Sequence, residues 1–361
     1  MDNKFLEISL YNWNLFLSNL HSDYDIYAPK KFEDNLYFEF IEKSDIRNIN
    51  YSDIGFRSVQ PIKIFFLPIG ETVSDTSKSV IDEKNKKKKL LVGLKACDLN
   101  ALLILDEVYI DEDFMDPFYK NKRDNTVIIS SDCTDPLDVC FCTEVDSKPY
   151  STQNFDLNMS IVDEKSIVIE IGSQKGKNII KNYGKELFKD ASEEIVLKRD
   201  ENRKKVEEKV KEINQKFRTD KSYNKVLEGS YESDLWEKFA EDCVECGGCT
   251  NICPTCHCFI LVDGAKGEEF FKNKYWDSCQ IDDFTKMAAG EDPRDEMWKR
   301  FRNRYFCKYN YKLDNFNIIA CTGCGRCIEA CQGGIDKREI LREINKDEKK
   351  RKRKKHRGIN I

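Results

Sequence analysis

Residues 243–258 read CVECGGCTNICPTCHC, six cysteines in sixteen positions. The first four are spaced Cys243-x2-Cys246-x2-Cys249-x3-Cys253, with Pro254 following, and the spacing returns as Cys321-x2-Cys324-x2-Cys327-x3-Cys331. Cubane [4Fe–4S] clusters are held by such runs: a tight loop offers three thiolates to one cluster, and the fourth cysteine reaches the other. By that rule Cys243, Cys246, Cys249 and Cys331 serve one cluster, and Cys321, Cys324, Cys327 and Cys253 serve a second. Glycines inside both loops let the backbone turn and bring its amides toward the sulfides. Structural zinc is the competing reading, but paired C-x2-C ribbons leave the third and fourth cysteines of each motif without a role. The expected fold for 241–340 is therefore a mainly helical, ferredoxin-like two-cluster domain.

The insertion Phe259–Ala320 separates the motifs more widely than in compact ferredoxins, and suits a helical or an expanded β-containing version. Gln332 stands where the first motif has Pro254, and Gly333-Gly334 can supply the turn instead.

The first 150 residues read as a mixed α/β domain, giving an α+β chain overall. Pro61–Leu67, Leu90–Leu94 and Thr126–Ile129 are strand-sized apolar runs. CDLNALLILDEVYI starts a helix capped near Asp98 or Asn100. DEKNKKKK, 82–89, reads as an exposed loop. In 151–240, Ser166–Ile171 is a strand, and the charge-rich stretch 191–217 predicts a solvated helix acting as a connector. The basic run KKRKRKK (Lys349–Lys355) in the 341–361 tail reads as disordered.

The net charge is −5 over 361 residues, with no apolar run long enough to span a bilayer and no signal-peptide pattern at the N-terminus. These features predict a cytoplasmic chain, and sixteen cysteines in a reducing compartment point to metal or redox chemistry. Cys97 follows a strand, and DCTDPLDVCFC supplies Cys133, Cys140 and Cys142. In an extended segment Cys140 and Cys142 face one side, so the four thiols predict a third Fe–S cluster. The bland alternative is four small buried hydrophobes. Cys256, Cys258, Cys279 and Cys307 are read as packing around the clusters, with an additional or unusual cluster as the alternative. His257 is read as packing as well.

SIVIEIGSQKGKN resembles a phosphate loop but fails it: Gly172 and Gly176 are three residues apart, and Asn178 follows Lys177. No dinucleotide fingerprint follows any strand. Only three histidines, His21, His257 and His356, are present, which leaves little for acid–base catalysis. RDEMWKRFRNRYFCKYNYK, 294–312, mixes basic and aromatic residues. Its expected role is packing around clusters and offsetting their negative charge, not binding nucleic acid.

LVGLKACDLNALLILDEVYI, DPFYKNKRDNTVIISSDCTDP, CFCTEV, CGGCTNICPTCHCF, WDSC and CTGCGRCIEAC then run in the order of a known family. Over roughly 60–340 the chain resembles the iron–sulfur beta subunit of cytosolic nickel–iron hydrogenases (sulfhydrogenases), and is similar to the iron–sulfur subunit of anaerobic sulfite reductase. The resemblance implies an electron-transfer subunit whose catalytic site lies on another chain. Its partners would be a flavin-containing NAD(P)H-oxidising subunit and a terminal subunit, either a siroheme sulfite reductase or a nickel–iron hydrogenase. The N-terminal cysteines and those of CPTCHC fall on family signature positions, which adds weight to a third cluster. Two other classes are a self-contained reductase built on Cys256, Cys258 and Cys279, and a zinc-stabilised nucleic-acid-binding protein using the basic tail.

Overall fold

The computed structural model describes residues 4–49, 51–80, 87–111 and 113–356, and the chain divides into two units. The first comprises Met1–Leu67, Lys78–Asp138 and Ser147–Val210; the second comprises Pro68–Ser77, Val139–Asp146 and Lys211–Ile361.

The first unit is built on an eight-stranded sheet. Its strands are β1 (Phe5–Ser9), β2 (Tyr24–Phe32), β3 (Asn35–Phe40), β5 (Lys88–Leu94), β6 (Thr126–Ser131), β7 (Leu157–Ile161), β8 (Ser166–Ile171) and β9 (Lys189–Asp190). They lie in the order β3-β2-β5-β6-β7-β8-β1-β9. β2, β5, β6 and β7 run parallel, and the remaining pairings are antiparallel. Leu90 and Val92 of β5 and Ile129 of β6 pack with Trp13, Phe16 and Leu157 in one core, while Leu91, Leu94 and Ile128 pack with Leu99, Leu102 and Tyr119 in another. Alternate residues of the central strands thus feed two cores, so these strands read as continuous apolar runs. The glycines of the failed phosphate loop serve packing. A Cβ at Gly176 would lie 2.1 Å from the Asp156 carbonyl oxygen, and one at Gly172 2.4 Å from that of Phe155.

Several expectations are corrected. Pro61–Leu67 is no strand: Ile62–Phe65 forms a 3-10 turn with Ile62, Phe66 and Leu67 buried. Pro61 and Pro68 bracket the run and cannot donate to a ladder, and the buried positions follow helical rather than alternating spacing. The helix after β5 starts earlier than its polar residues suggest. It spans Ala96–Tyr109 with Lys95 at the N-cap position, and Asp98 is buried in its first turn. The charged helix, Glu193–Ile213, is not solvated all round. Arg199 and Arg203 are buried, Arg203 bonding Asp132 at 2.7 and 3.1 Å. The loop expected over 82–89 lies outside the described residues up to Lys86, and Lys88 and Lys89 already belong to β5.

The second unit contains β4 (Gly70–Asp75), β10 (Phe259–Lys266) and β11 (Glu269–Trp276) in the order β10-β11-β4, together with short helices. The insertion between the cysteine motifs therefore opens with a β-hairpin. It continues into the helix Met297–Phe306, the π-turn Cys307–Tyr311 and the helix Lys312–Phe316. Trp236, Phe301, Tyr305, Phe306, Tyr309 and Leu341 form the core. The tail is a helix as far as it is described, Lys337–His356. Burial of Ile340, Leu341 and Ile344 anchors it, and Lys221 bonds Glu348 at 2.8 Å. Among the described residues no helix is long and apolar enough to cross a membrane.

Candidate metal centres

The two cysteine loops share one backbone. In the first, Glu245 and Gly247 take left-handed φ values of 53° and 66°; in the second, Gly323 and Gly325 take 64° and 74°. These are the third and fifth positions of each motif. A short helix follows in each case, Gly248–Asn251 and Arg326–Glu329. The fourth cysteine then closes the turn: the Cys253 N–H donates to the Thr250 carbonyl (3.2 Å), and the Cys331 N–H to that of Ile328 (3.3 Å). The glycines of the second loop are also required by contact. The Phe141 N–H donates to the Gly323 carbonyl at 2.8 Å, and a Cβ on Gly323 would lie 2.4 Å from the Cys142 Cα. Gly334, with φ 65°, donates to the Cys331 carbonyl and makes the turn that Pro254 makes in the first motif.

Cys243, Cys246 and Cys249 line one cavity together with Cys331, and Cys327 and Arg304 complete its wall. Cys253 sits 3.2 Å from the Thr255 hydroxyl, which donates to the Ala320 carbonyl (2.7 Å) beside Cys321 and accepts from Lys308 Nζ (2.5 Å). The surroundings fit iron–sulfur clusters. The Tyr305 hydroxyl, Arg304 Nε and the Thr322 hydroxyl are buried with no hydrogen-bond partner among the described residues. Buried donors left unpaired cost free energy, and cluster sulfur and thiolate would accept from them. Burial pushes the Cys249 thiol up to about 11, with Arg304 pulling it down. Burial opposes the Arg304 charge, yet Cys249 and Cys327 hold its pKa well above the ordinary value.

One helical segment carries Arg300, Arg304, Lys308 and Lys312 at four-residue intervals along these thiols. Arg300 pairs with Glu245 and, at 2.8 Å, with Asp282. Arg304 neighbours Cys249 and Cys327. Lys308, 3 % exposed, neighbours Cys253, Cys256 and Cys307. Lys312 lies 3.1 Å from His257 Nε2. Since His257 Nδ1 is 3.1 Å from the Thr255 carbonyl, that nitrogen carries the proton and Nε2 accepts from Lys312. This row is what the basic and aromatic stretch 294–312 becomes. The composition gave its charge; the alignment of four cations needed the helix.

The remaining cysteines fall into two groups in different units. Cys97 and Cys133 follow the carboxyl ends of β5 and β6, where open α/β sheets bind ligands, and both neighbour Lys95. Lys95 is buried. It donates to the Ile54 carbonyl, to Ser131 Oγ at 3.0 Å and to the Asp132 carbonyl at 2.8 Å. Burial drives its pKa down against the pull of Cys133, Asp132 and Cys97. Sequence reasoning passed over Lys95 and Asp132, since a lysine and an aspartate beside strands carry no spacing signal. Cys140 and Cys142 belong to the second unit. Their segment is not extended, because Cys142 opens a 3-10 turn, and the Cys140 carbonyl accepts from Asn214 Nδ2 at 2.7 Å. In the same unit Cys258 and Cys279 are in thiol–thiol contact, as are Cys253 and Cys256. That contact lowers Cys258 to about 7 and raises Cys279. Among the described residues no three His, Cys, Asp or Glu side chains gather around a single ion, in the ferredoxin quartets or elsewhere.

Comparison with known proteins matches residues 242–335 to the 4Fe-4S dicluster domain family. Sulfhydrogenase 2 subunit beta of Pyrococcus furiosus is 30 % identical over 331 residues, covering 91 % of this chain and 95 % of that one. With both ferredoxin loops in place and the similarity running through both units, the chain belongs to the family of iron–sulfur beta subunits of sulfhydrogenases.

Proposed function

We propose that this chain relays electrons inside a cytoplasmic multi-subunit oxidoreductase, between a flavin-containing NAD(P)H-oxidising subunit and a terminal hydrogen-converting or sulfite-reducing subunit. Cys243, Cys246, Cys249 and Cys331 hold one [4Fe–4S] cluster, and Cys321, Cys324, Cys327 and Cys253 the other. Bound there, the clusters supply one-electron carriers; the chain's own residues set where they sit and how readily they accept charge. The paired left-handed turns fix the thiols. Tyr305 and Thr322 offer buried hydroxyls, and Arg304 offsets the negative charge of the thiolates around it. The observation that carries this reading is the cavity that three thiols of the first motif share with the fourth cysteine of the second.

The test is iron, sulfide and zinc per polypeptide in chain purified without oxygen, with electron paramagnetic resonance of the reduced form. About eight irons or more, with interacting cluster signals, are expected, four for each cubane. Zinc without iron would overturn the reading.

A further inference from the structure

Four cysteines outside the ferredoxin motifs lie within the second unit on three stretches of chain, and three of them, Cys258, Cys279 and Cys307, are neighbours. Cys256 and Cys258 precede β10, Cys279 follows β11, and Cys307 opens the π-turn after the helix Met297–Phe306. The hairpin accounts for part of the convergence. Phe259 pairs with Trp276, and the Asp277 N–H donates to the Cys258 carbonyl at 3.0 Å, so both ends of the hairpin meet at its base. There Cys258 touches Cys279 and neighbours Cys307. Lys308 neighbours Cys256 and Cys307, and Lys312 neighbours Cys256, Cys258 and Cys307.

A second observation is the charge. Lys308 is buried and Lys312 half-buried, and among the described residues neither pairs with a carboxylate. Burying an ammonium without an anion is costly. Lys308 also faces Cys253, so a ferredoxin cluster accounts for part of its charge, whereas Lys312 faces Cys256, Cys258, Cys307, the neutral His257 and the like-charged Lys308, with its ammonium 4.8 Å from the Phe316 ring. A tetrathiolate cluster, with net negative charge, matches that cation. π-turns inside helices concentrate at functional sites, and this one carries Cys307 and Lys308.

We propose that Cys256, Cys258, Cys279 and Cys307 ligate an additional iron–sulfur cluster at the base of the β10–β11 hairpin, with Lys308 and Lys312 as its fixed countercharges. Four thiolates are the ligand set of both dinuclear and tetranuclear clusters. The cationic row then reads as one structure, from Arg300 at the first ferredoxin loop to Lys312 at this site, with Cys256 in contact with Cys253 of the second quartet.

The experiment compares the full-length chain with Cys258→Ser/Cys279→Ser, both purified without oxygen, for iron, sulfide, zinc and the spectra of the reduced state. A loss of two or four irons, with equal sulfide and both ferredoxin signals retained, is expected. An unchanged iron and sulfide content overturns the proposal, and so does loss of zinc in place of iron. Should that double variant fail to fold, Cys307→Ala removes one donor from a half-buried position and is read by the same losses. Lys312→Met gives an independent readout. It retains the iron but lowers the midpoint potential of the additional signal by tens of millivolts, while the signal of the Cys243 loop stays put. Iron absent from every form of the chain would sink the electron-relay reading itself, a result distinct from an unchanged count with ferredoxin signals present.

Discussion

Arg304 is the residue on which both ferredoxin loops converge, neighbouring Cys249 of one and Cys327 of the other. A fixed cation favours the more negative, reduced state of each cluster. Arg304→Gln is therefore expected to lower both midpoint potentials. If the charge is worth about 1.4 kcal/mol at a cluster, the shift is about 60 mV for one electron. A redox titration followed by electron paramagnetic resonance reads it, and unchanged potentials would show the arginine to be packing alone. The glycines give a second prediction. Gly323 needs both a positive φ and the space that Cys142 occupies, whereas a Cβ at Gly248 meets its nearest atoms only at 3.4 Å. Gly323→Ala should cost about 1–3 kcal/mol and lower iron retention, while Gly248→Ala leaves both nearly unchanged. Thermal melts with iron analysis compare the pair. Position 323 was legible as a turn glycine in the sequence. Glu245 was not, because a glutamate at left-handed φ is held by Arg300, a partner 55 residues away.

Among the elements, those with long apolar runs were readable. Leu90–Leu94, Thr126–Ile129 and Ser166–Ile171 all lie in β5, β6 and β8, since strands buried on both faces leave few polar interruptions. The β10–β11 hairpin was missed because its apolar residues stay exposed and leave no clean alternation. Phe259, Ile260, Leu261 and Val262 are each more than two-fifths exposed on a strand that, among the described residues, pairs only with β11. Edge strands of this kind template pairing with other chains. In isolated chain, Leu261→Lys is expected to reduce self-association without lowering the melting temperature, as read by light scattering beside a thermal melt. Equal scattering from both forms would show that the edge is inert. The cationic row was half legible. Its residues stood out by charge, but the four-residue interval became meaningful only once one helical segment was seen to carry all four.

For the molecule as a whole, the two units differ in what holds them. The first has its own cores on an eight-stranded sheet, built almost wholly from apolar side chains, with the buried Arg203 paired to Asp132. The second packs its aromatic core against cysteine loops, and buries Arg304, Lys308 and the hydroxyls of Tyr305 and Thr322 around them. A cluster that binds only the folded loops stabilises them by its own binding free energy. Stripping it leaves buried cations and donors without the cluster they face. Chelation of iron without oxygen should therefore open residues 241–340 while leaving the sheet of the first unit protected. Limited proteolysis of the iron-free chain is expected to cut first within that stretch and to spare β5, β6 and β8. Hydrogen exchange should rise in the helix Met297–Phe306 well before it rises in β6. Equal loss of protection in both regions would mean that the chain melts as one cooperative body, with the iron holding the whole of it. Protection unchanged in both would mean that the second unit is held by its aromatic core alone, and that the orphaned donors are tolerated without metal.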